Sequence, residues 1–407
     1  MPYADLDYNL TDEQTALRDM VRRFGAEVIR PIGIELDHLG DPQEVIADDS
    51  QFWDLMKQYR ELGLHKRGIV KALGGSAEDM DPMMGYVVTE EMGYADAGFS
   101  ISMGAGGMFF SYCQHSPVPE LKALAQEYVE DPASRLLGCW GVIEPDHGTD
   151  WMLGGGDPAL TPNVHGVIKG DEIVINGQKA AWVSNGTIAT HCVLSVGMDP
   201  SKGMSGSEVV LCPLDLPGVT RGKPLNKMGQ RALNQGEIFF DDVHLPREYK
   251  VSELRPAPRD PSDKRGGAQS PMAGMAVQFA GLAKAALDEA LAYAKERIQG
   301  GVPIIQHKNI GLKLFEMFMM VEAARSNARR MYMYNAESGD LSSAHSMAGK
   351  WLSTETAFKV ASEAIQIFGG NGLSKEYVIE KIFRDARTAM IEDGVNESLA
   401  LTVIGSL

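Results

Sequence analysis

Between Gln366 and Gly394 the chain reads Gln-Ile-Phe-Gly-Gly-Asn-Gly, then Arg384-Asp385-Ala386-Arg387, then Glu392-Asp393-Gly394. A glycine turn, an amphipathic helix and an acidic step follow one another, so a carboxylate is carried on a turn where it can serve as a base. A second chemical set is Glu144-Pro145-Asp146-His147-Gly148-Thr149-Asp150. Pro145 restricts the backbone and Gly148 releases it, while Thr149 and exposed amides can donate to an anionic or heteroaromatic ligand. The third is Trp182-Val183-Ser184-Asn185. Read as a strand, it puts a ring able to stack on a flat ligand and a hydroxyl able to bond that ligand's edge on one face.

Three kinds of segment must position these groups. From Thr11 to about Ala125, Leu17, Met20, Val21, Phe24 and Val28 recur at helical steps, with Thr11 as N-cap. Between Leu137 and His244 the texture changes to short β-branched runs, among them Glu172-Ile173-Val174-Ile175, followed by Asn176-Gly177 as a hairpin turn. Glu253 to Gly267, with three prolines, reads as a linker. Ala273–Gly300, Asn309–Ser338 and Ser343–Phe368 then carry the Ala, Leu and Met periodicity of packed helices. The fold class expected is α+β and mostly α: a helical domain over residues 1–130, a β-barrel domain over 131–250 and a helical bundle over 251–407. This segregated order, with no GxGxxG after a strand, argues against a dinucleotide-binding sheet. Gly154-Gly155-Gly156 lies in a polar loop with no helix after it and reads as a loop, not a phosphate cradle.

Bulk properties narrow the function classes. The 407 residues carry a formal charge of -17 and no basic run, which disfavours nonspecific nucleic-acid binding. Cys113, Cys139, Cys192 and Cys212 are scattered without CxxC spacing, so neither a disulfide framework nor a zinc site is expected, and a reducing, cytoplasmic setting is. Acidic residues near the start do not fit a signal peptide, and no apolar run reaches membrane-spanning length. Glu90 and Glu91 read as solvated or helix N-terminal charges rather than a second base, and His147 as a hydrogen-bonding loop residue. The 22 methionines read chiefly as adaptable core filling.

Taken together and in order, the motifs resemble those of the acyl-CoA dehydrogenase flavoprotein family over nearly the whole chain. Family members carry Thr-Glu-Pro-x-x-Gly-Ser-Asp, then Asn-Gly-x-Lys-x-Trp-Ile-Thr-Asn, then Phe-Asp-Asp-Val-x-Val-Pro. This chain answers with Glu144 to Asp150, Asn176 to Asn185 and Phe240-Asp241-Asp242-Val243-His244-Leu245-Pro246. The resemblance implies a helical domain, a β-barrel and a four-helix bundle assembled as a homotetramer, with FAD extended between barrel and bundle. Flavin contacts are implied for Trp140, Val142, Ile143, Gly148, Thr149, Trp182 and Ser184. Toward the diphosphate and adenine, Arg297, Lys308, Gln366, Gly369 and Gly370 are implied, the glycine turn acting from a neighbouring subunit. Arginine supplies a permanent charge for diphosphate and glycine admits close backbone approach.

The activity implied is removal of the α-proton of a CoA thioester by a carboxylate, with the β-hydride passing to the flavin and electrons onward to an electron-transfer flavoprotein. Aligned on Gln366, the family's catalytic Glu falls on Asp393, with Glu392 in the place of the preceding Tyr. The base candidate that the resemblance implies is therefore an Asp, one methylene short. Other departures are Ile143 for a flavin-bonding Thr, Val395 for the Thr after the catalytic Gly, Gly300 for a Phe and Lys308 for a cofactor-binding Gln. Met272 stands where many members have an Arg beside the base, and Pro271 where a subgroup has an alternative Glu base. Branches with an Asp base act on ring-bearing acyl-CoA thioesters or on nitroalkanes. The rival readings are accordingly a flavin oxidase of a small substrate such as a nitroalkane, and a non-catalytic FAD-binding relative.

Overall fold

The computed structural model describes residues 9–150, 155–251, 271–338 and 342–407. The expected linker at Glu253–Gly267 and Gly154 lie outside the described residues. Twelve helices are named here in chain order: α1 (Asp12–Phe24), α2 (Arg30–His38), α3 (Pro42–Val45), α4 (Gln51–Glu61), α5 (Pro82–Ala95), α6 (Ala97–Cys113), α7 (Pro119–Glu130), α8 (Pro271–Glu296), α9 (Lys308–Ser338), α10 (Ser343–Phe368), α11 (Val378–Ala389) and α12 (Asn396–Val403). Seven strands form one sheet: β1 (Gly138–Gly141), β2 (His165–Lys169), β3 (Glu172–Lys179), β4 (His191–Gly197), β5 (Ser207–Pro213), β6 (Val219–Arg221) and β7 (Ile238–Pro246). The mostly helical α+β class expected above is what the chain adopts: helices, a curled sheet, then helices.

By contacts the chain divides into two units. The first comprises Met1–Pro31, Met80–Ala97 and Pro261–Met390, and the second Ile32–Asp79, Gly98–Asp260 and Ile391–Leu407.

In the first unit, α8 is buried on nearly every side, and its alanines, from Ala273 to Ala294, let neighbouring helices approach. At Gly281 a Cβ would lie 2.2 Å from the carbonyl oxygen of Glu90, so α5 packs backbone to backbone on α8. Thr11 caps α1 as expected, in a capping box completed by Gln14. Glu90 and Glu91 correct the sequence reading, since they are neither solvated nor at a helix N-terminus. Each is about 5% exposed, within α5. Arg325 Nε and Nη2 donate to Glu90 at 2.8 and 3.0 Å, the Tyr86 hydroxyl donates to it at 2.9 Å, and Arg22 Nη2 donates to Glu91 at 2.6 Å. Tertiary pairing with distant arginines overrides the surface habit of adjacent acids.

In the second unit the sheet order is β1-β4-β2-β3-β7-β6, with β5 on β4. Cys139, Cys192 and Cys212 face one another across β1, β4 and β5, all in the buried core with Ile173, Ile175, Leu194 and Val243. They are free thiols. Asn176-Gly177 does not turn the chain. Both lie inside β3, where the register with β7 shifts between Ile175 and Gly177, and Gly177 has φ 133. The hairpin reverses instead at Gly170-Asp171 between β2 and β3. A positive-φ glycine serves a bulge as readily as a turn, and pairing of Glu172 to Lys179 with β7 decides for the bulge.

Candidate active site

The Glu144–Asp150 loop leaves β1 and closes on itself: Glu144 N donates to His147 O at 2.9 Å, and His147 N donates to Glu144 O at 3.1 Å. His147 Nδ1 lies 2.7 Å from Asp150 Oδ2, a loop hydrogen bond of the kind expected for it. Beneath the loop sits an ion pair that the sequence reading missed. Lys179 Nζ donates to Glu144 Oε1 at 2.7 Å and to the carbonyl of Val142 at 3.0 Å. Both side chains are 1% exposed. Glu144 also accepts from the amides of Asn163 and Val164, at 2.6 and 3.1 Å. Burial pulls the Lys179 pKa below the usual lysine value, against the raising pull of the Glu144 carboxylate. The available signal was slight: a lysine at the end of β3 and a glutamate before Pro145, thirty-five residues apart.

Trp182 does not lie on a strand. It sits in the turn that follows β3, and Ser184 forms an isolated bridge with Gln235, so the shared strand face expected for the pair is replaced by a turn. Gln235 Nε2 donates to the Trp182 carbonyl at 3.0 Å and so fixes that turn. The indole is left 54% exposed. It borders a cleft of about 470 Å³ lined also by Ile143, Gly148, Ala180 and Ala181. A cleft of that size suits a drug-sized or cofactor-sized aromatic. Of the sequence-expected residues, Ile143, Gly148 and Trp182 line it, whereas Trp140, Val142, Thr149 and Ser184 do not. Trp140 packs instead against the core containing Phe109, Phe110 and Val193, and the Val142 carbonyl is taken by Lys179.

The acidic turn between α11 and α12 belongs to the same unit from Ile391 onward. Asp393 has φ 51 and Gly394 φ 103, two consecutive left-handed residues that turn the backbone sharply. Aspartate is among the few side chains that enter this region readily. Val395 N donates to Thr149 Oγ1 at 3.2 Å, which ties the turn to the Glu144–Asp150 loop. On the preceding side, Gln230 Nε2 donates to Glu392 Oε2 at 2.9 Å. Nothing in the residue pattern around Gln230 announced this contact.

The remaining sequence-expected residues lie in the first unit. Arg297 is exposed just beyond α8, its amide bonded to Tyr293 O at 2.8 Å. Lys308 opens α9 and is exposed, as is Gln366 near the end of α10. Gly369 ends α10 at φ 62 and ψ -136, a conformation only glycine adopts comfortably. Gly370 follows, and a Cβ at either glycine would meet nothing within 4 Å. The turn is braced from within: the Tyr293 ring stacks on Phe368 at 4.0 Å, and Asn371 Nδ2 donates to the hydroxyls of Tyr293 and Tyr377 at 3.0 and 3.1 Å. Among the described residues no cluster of three or more His, Cys, Asp or Glu could hold a metal ion, and no helix is long and apolar enough to cross a membrane.

Family models of the acyl-CoA dehydrogenase N-terminal, middle and C-terminal domains match residues 11–123, 139–243 and 272–407. The chain belongs to the acyl-CoA dehydrogenase family. A short-chain-specific acyl-CoA dehydrogenase of Megasphaera elsdenii is 30% identical, over 99% of this chain and 100% of that one. A cyclohex-1-ene-1-carbonyl-CoA dehydrogenase of Syntrophus aciditrophicus is also 30% identical, over 95% of this chain and 88% of that one. The solved butyryl-CoA dehydrogenase of Megasphaera elsdenii superposes with a TM-score of 0.82 at 28% identity, covering 98% of this chain and 99% of that one. This acyl-CoA dehydrogenase is thus an enzyme that oxidises an acyl-CoA thioester with FAD. The cleft offers that cofactor's ring system an exposed indole, two alanines and Gly148, where a Cβ would meet open space, beside the polar Asp146, His147 and Glu237.

Proposed function

We propose that Asp393 is the base that removes the α-proton of the thioester, and that the acyl group is short or ring-bearing. The observation that carries the base assignment is the tie between the acidic turn and the cleft loop, Val395 N to Thr149 Oγ1 at 3.2 Å. It ties the backbone two residues after Asp393 to the loop whose Ile143–Gly148 segment lines the cleft. FAD, when bound, supplies the acceptor for the β-hydride. Trp182 offers its indole for stacking, Gly148 and Ile143 line the same cleft, and Arg297, Lys308, Gln366, Gly369 and Gly370 offer donors and open backbone for diphosphate and adenine. Trp140, Val142, Thr149 and Ser184, which the resemblance assigns to the flavin, belong to the core, the Lys179 contact, the Val395 tie and the Gln235 bridge. Proton transfer requires heavy atoms within roughly 2.6–3.2 Å, so an Asp in place of the family's Glu needs its backbone set closer to the substrate.

The short or ring-bearing acyl group is supported by the names of the two relatives above and by the Asp base. An electron-transfer flavoprotein as acceptor, a homotetramer, a cytoplasmic setting and three domains at 1–130, 131–250 and 251–407 complete the proposal. Asp393→Asn tests the base: the flavin should stay bound and its bleaching by substrate should be lost. Bleaching at the wild-type rate would sink the assignment. A panel of straight, branched and cyclic thioesters tests the acyl preference.

A further inference from the structure

Glu392 precedes the proposed base and could be taken for a second one; its surroundings give it another task. We propose that Gln230 is a positioning residue that holds the base turn through Glu392, an inference that rests on Asp393 being the base. Gln230 is 2% exposed and itself left-handed, φ 51. A non-glycine residue in that region costs of order 1–3 kcal/mol and persists only where its surroundings over-determine it. Here they do. Its carbonyl accepts from Leu233 N at 2.9 Å, and a Cβ at Gly98 would lie 3.0 Å from its Cα, C and O, so the start of α6 is pressed against its backbone. The amide is thereby aimed from a fixed platform, and Nε2 meets Glu392 Oε2 at 2.9 Å.

The turn is consequently pinned one residue before Asp393 by a side chain and two residues after it by a backbone amide on Thr149. Both anchors belong to the unit that carries the cleft. A short acid has fewer rotamers with which to correct a misplaced backbone, and misplacement by about 1 Å costs up to about 100-fold in rate. Gln230 and Glu392 together supply the placement that the missing methylene demands. Glu392 is then an anchor and not a second base.

The test uses the FAD-loaded enzyme and a thioester that bleaches it. Gln230→Leu and Glu392→Ala are each expected to slow flavin reduction roughly 10- to 100-fold at saturating substrate, with substrate dissociation constant and flavin content held. The double variant is expected to be slowed by less than the product of the two single effects, because the two changes remove a shared contact. Glu392→Gln keeps an acceptor oxygen for Gln230 and is expected to restore the rate. Amide hydrogen exchange across residues 391–395 of the substrate-free protein should rise in Gln230→Leu. Wild-type rates in both single variants, or a double variant slowed by the product of the two, would overturn the proposal. If Gln230→Leu does not fold, Glu392→Ala, at a partly exposed position, reads the same contact. Asp393→Asn separates the two levels. Its loss of bleaching beside a wild-type Gln230→Leu keeps the base and removes the tether, whereas bleaching in Asp393→Asn removes both.

Discussion

Lys179 Nζ stands 2.7 Å from Glu144 Oε1 and 3.0 Å from the Val142 carbonyl, so one buried ammonium holds both the first residues of the cleft loop and the strand from which Trp182 departs. Glu144 spends its other contacts on the amides of Asn163 and Val164. The loop is therefore shaped before any ligand arrives.

Removing one partner of this pair leaves a charge buried alone. Lys179→Met is expected to lower unfolding free energy by about 3–5 kcal/mol. Lys179→Met combined with Glu144→Gln should recover part of that loss. Urea denaturation followed by fluorescence measures both; equal stability of Lys179→Met and wild type would contradict the reading.

Asn185 is left-handed, φ 62, and fully buried. Its Nδ2 donates to Ser102 O and Gly138 O at 2.9 and 3.2 Å, and its Oδ1 accepts from Ser102 Oγ at 2.7 Å. Asn185→Gly removes these bonds at about 1–3 kcal/mol. Asn185→Ala adds the left-handed penalty, about 1–2 kcal/mol more. The difference between the two denaturation midpoints isolates the backbone contribution.

An indole 54% exposed on a cleft is expected to report cofactor binding. Adding FAD to the apoprotein should quench tryptophan fluorescence, and Trp182→Ala should weaken FAD binding about 10-fold, in keeping with about 0.5–1.5 kcal/mol for aromatic stacking. Titration with fluorescence detection distinguishes this from unchanged affinity, which would place the ring elsewhere.

Acid should loosen the second unit through two histidines. Burial, with Arg60 assisting, lowers His65 to about 4, and burial lowers His191 to about 4, both from 6.5. His191 lies against Phe109 at 4.6 Å. Between pH 6.5 and about 4 the unfolded chain binds more protons than the folded one, so stability rises with pH across that window and is lost on acidification. His191→Gln is expected to flatten the slope of the urea midpoint against pH; a slope identical to wild type would exclude His191 as a source.

Much of this architecture was legible from residue order. The periodicity over Ala273–Gly300, Asn309–Ser338 and Ser343–Phe368 became α8, α9 and α10, because long runs rich in Ala, Leu and Met carry a helical signal within the run itself. The short β-branched run Glu172–Ile175 became part of β3, and the ordered Glu-Pro, Asn-Gly-Gln-Lys and Phe-Asp-Asp-Val segments disclosed the family. Those signals are local, and a few residues in succession carry them.

What sequence could not disclose depends on partners far along the chain. Whether Asn176-Gly177 turns or bulges is decided by pairing with β7 some sixty residues later, and both outcomes accept the same glycine. Glu90 and Glu91 read as surface acids until Arg325 and Arg22 arrive from other helices. Gln230 and Glu392 are 162 positions apart, and a single amide-to-carboxylate bond leaves no periodic trace. Residue types along the chain determine which chemistry is available; which groups meet depends on long-range packing, since a buried polar group takes whatever partner the folded chain brings within about 3 Å.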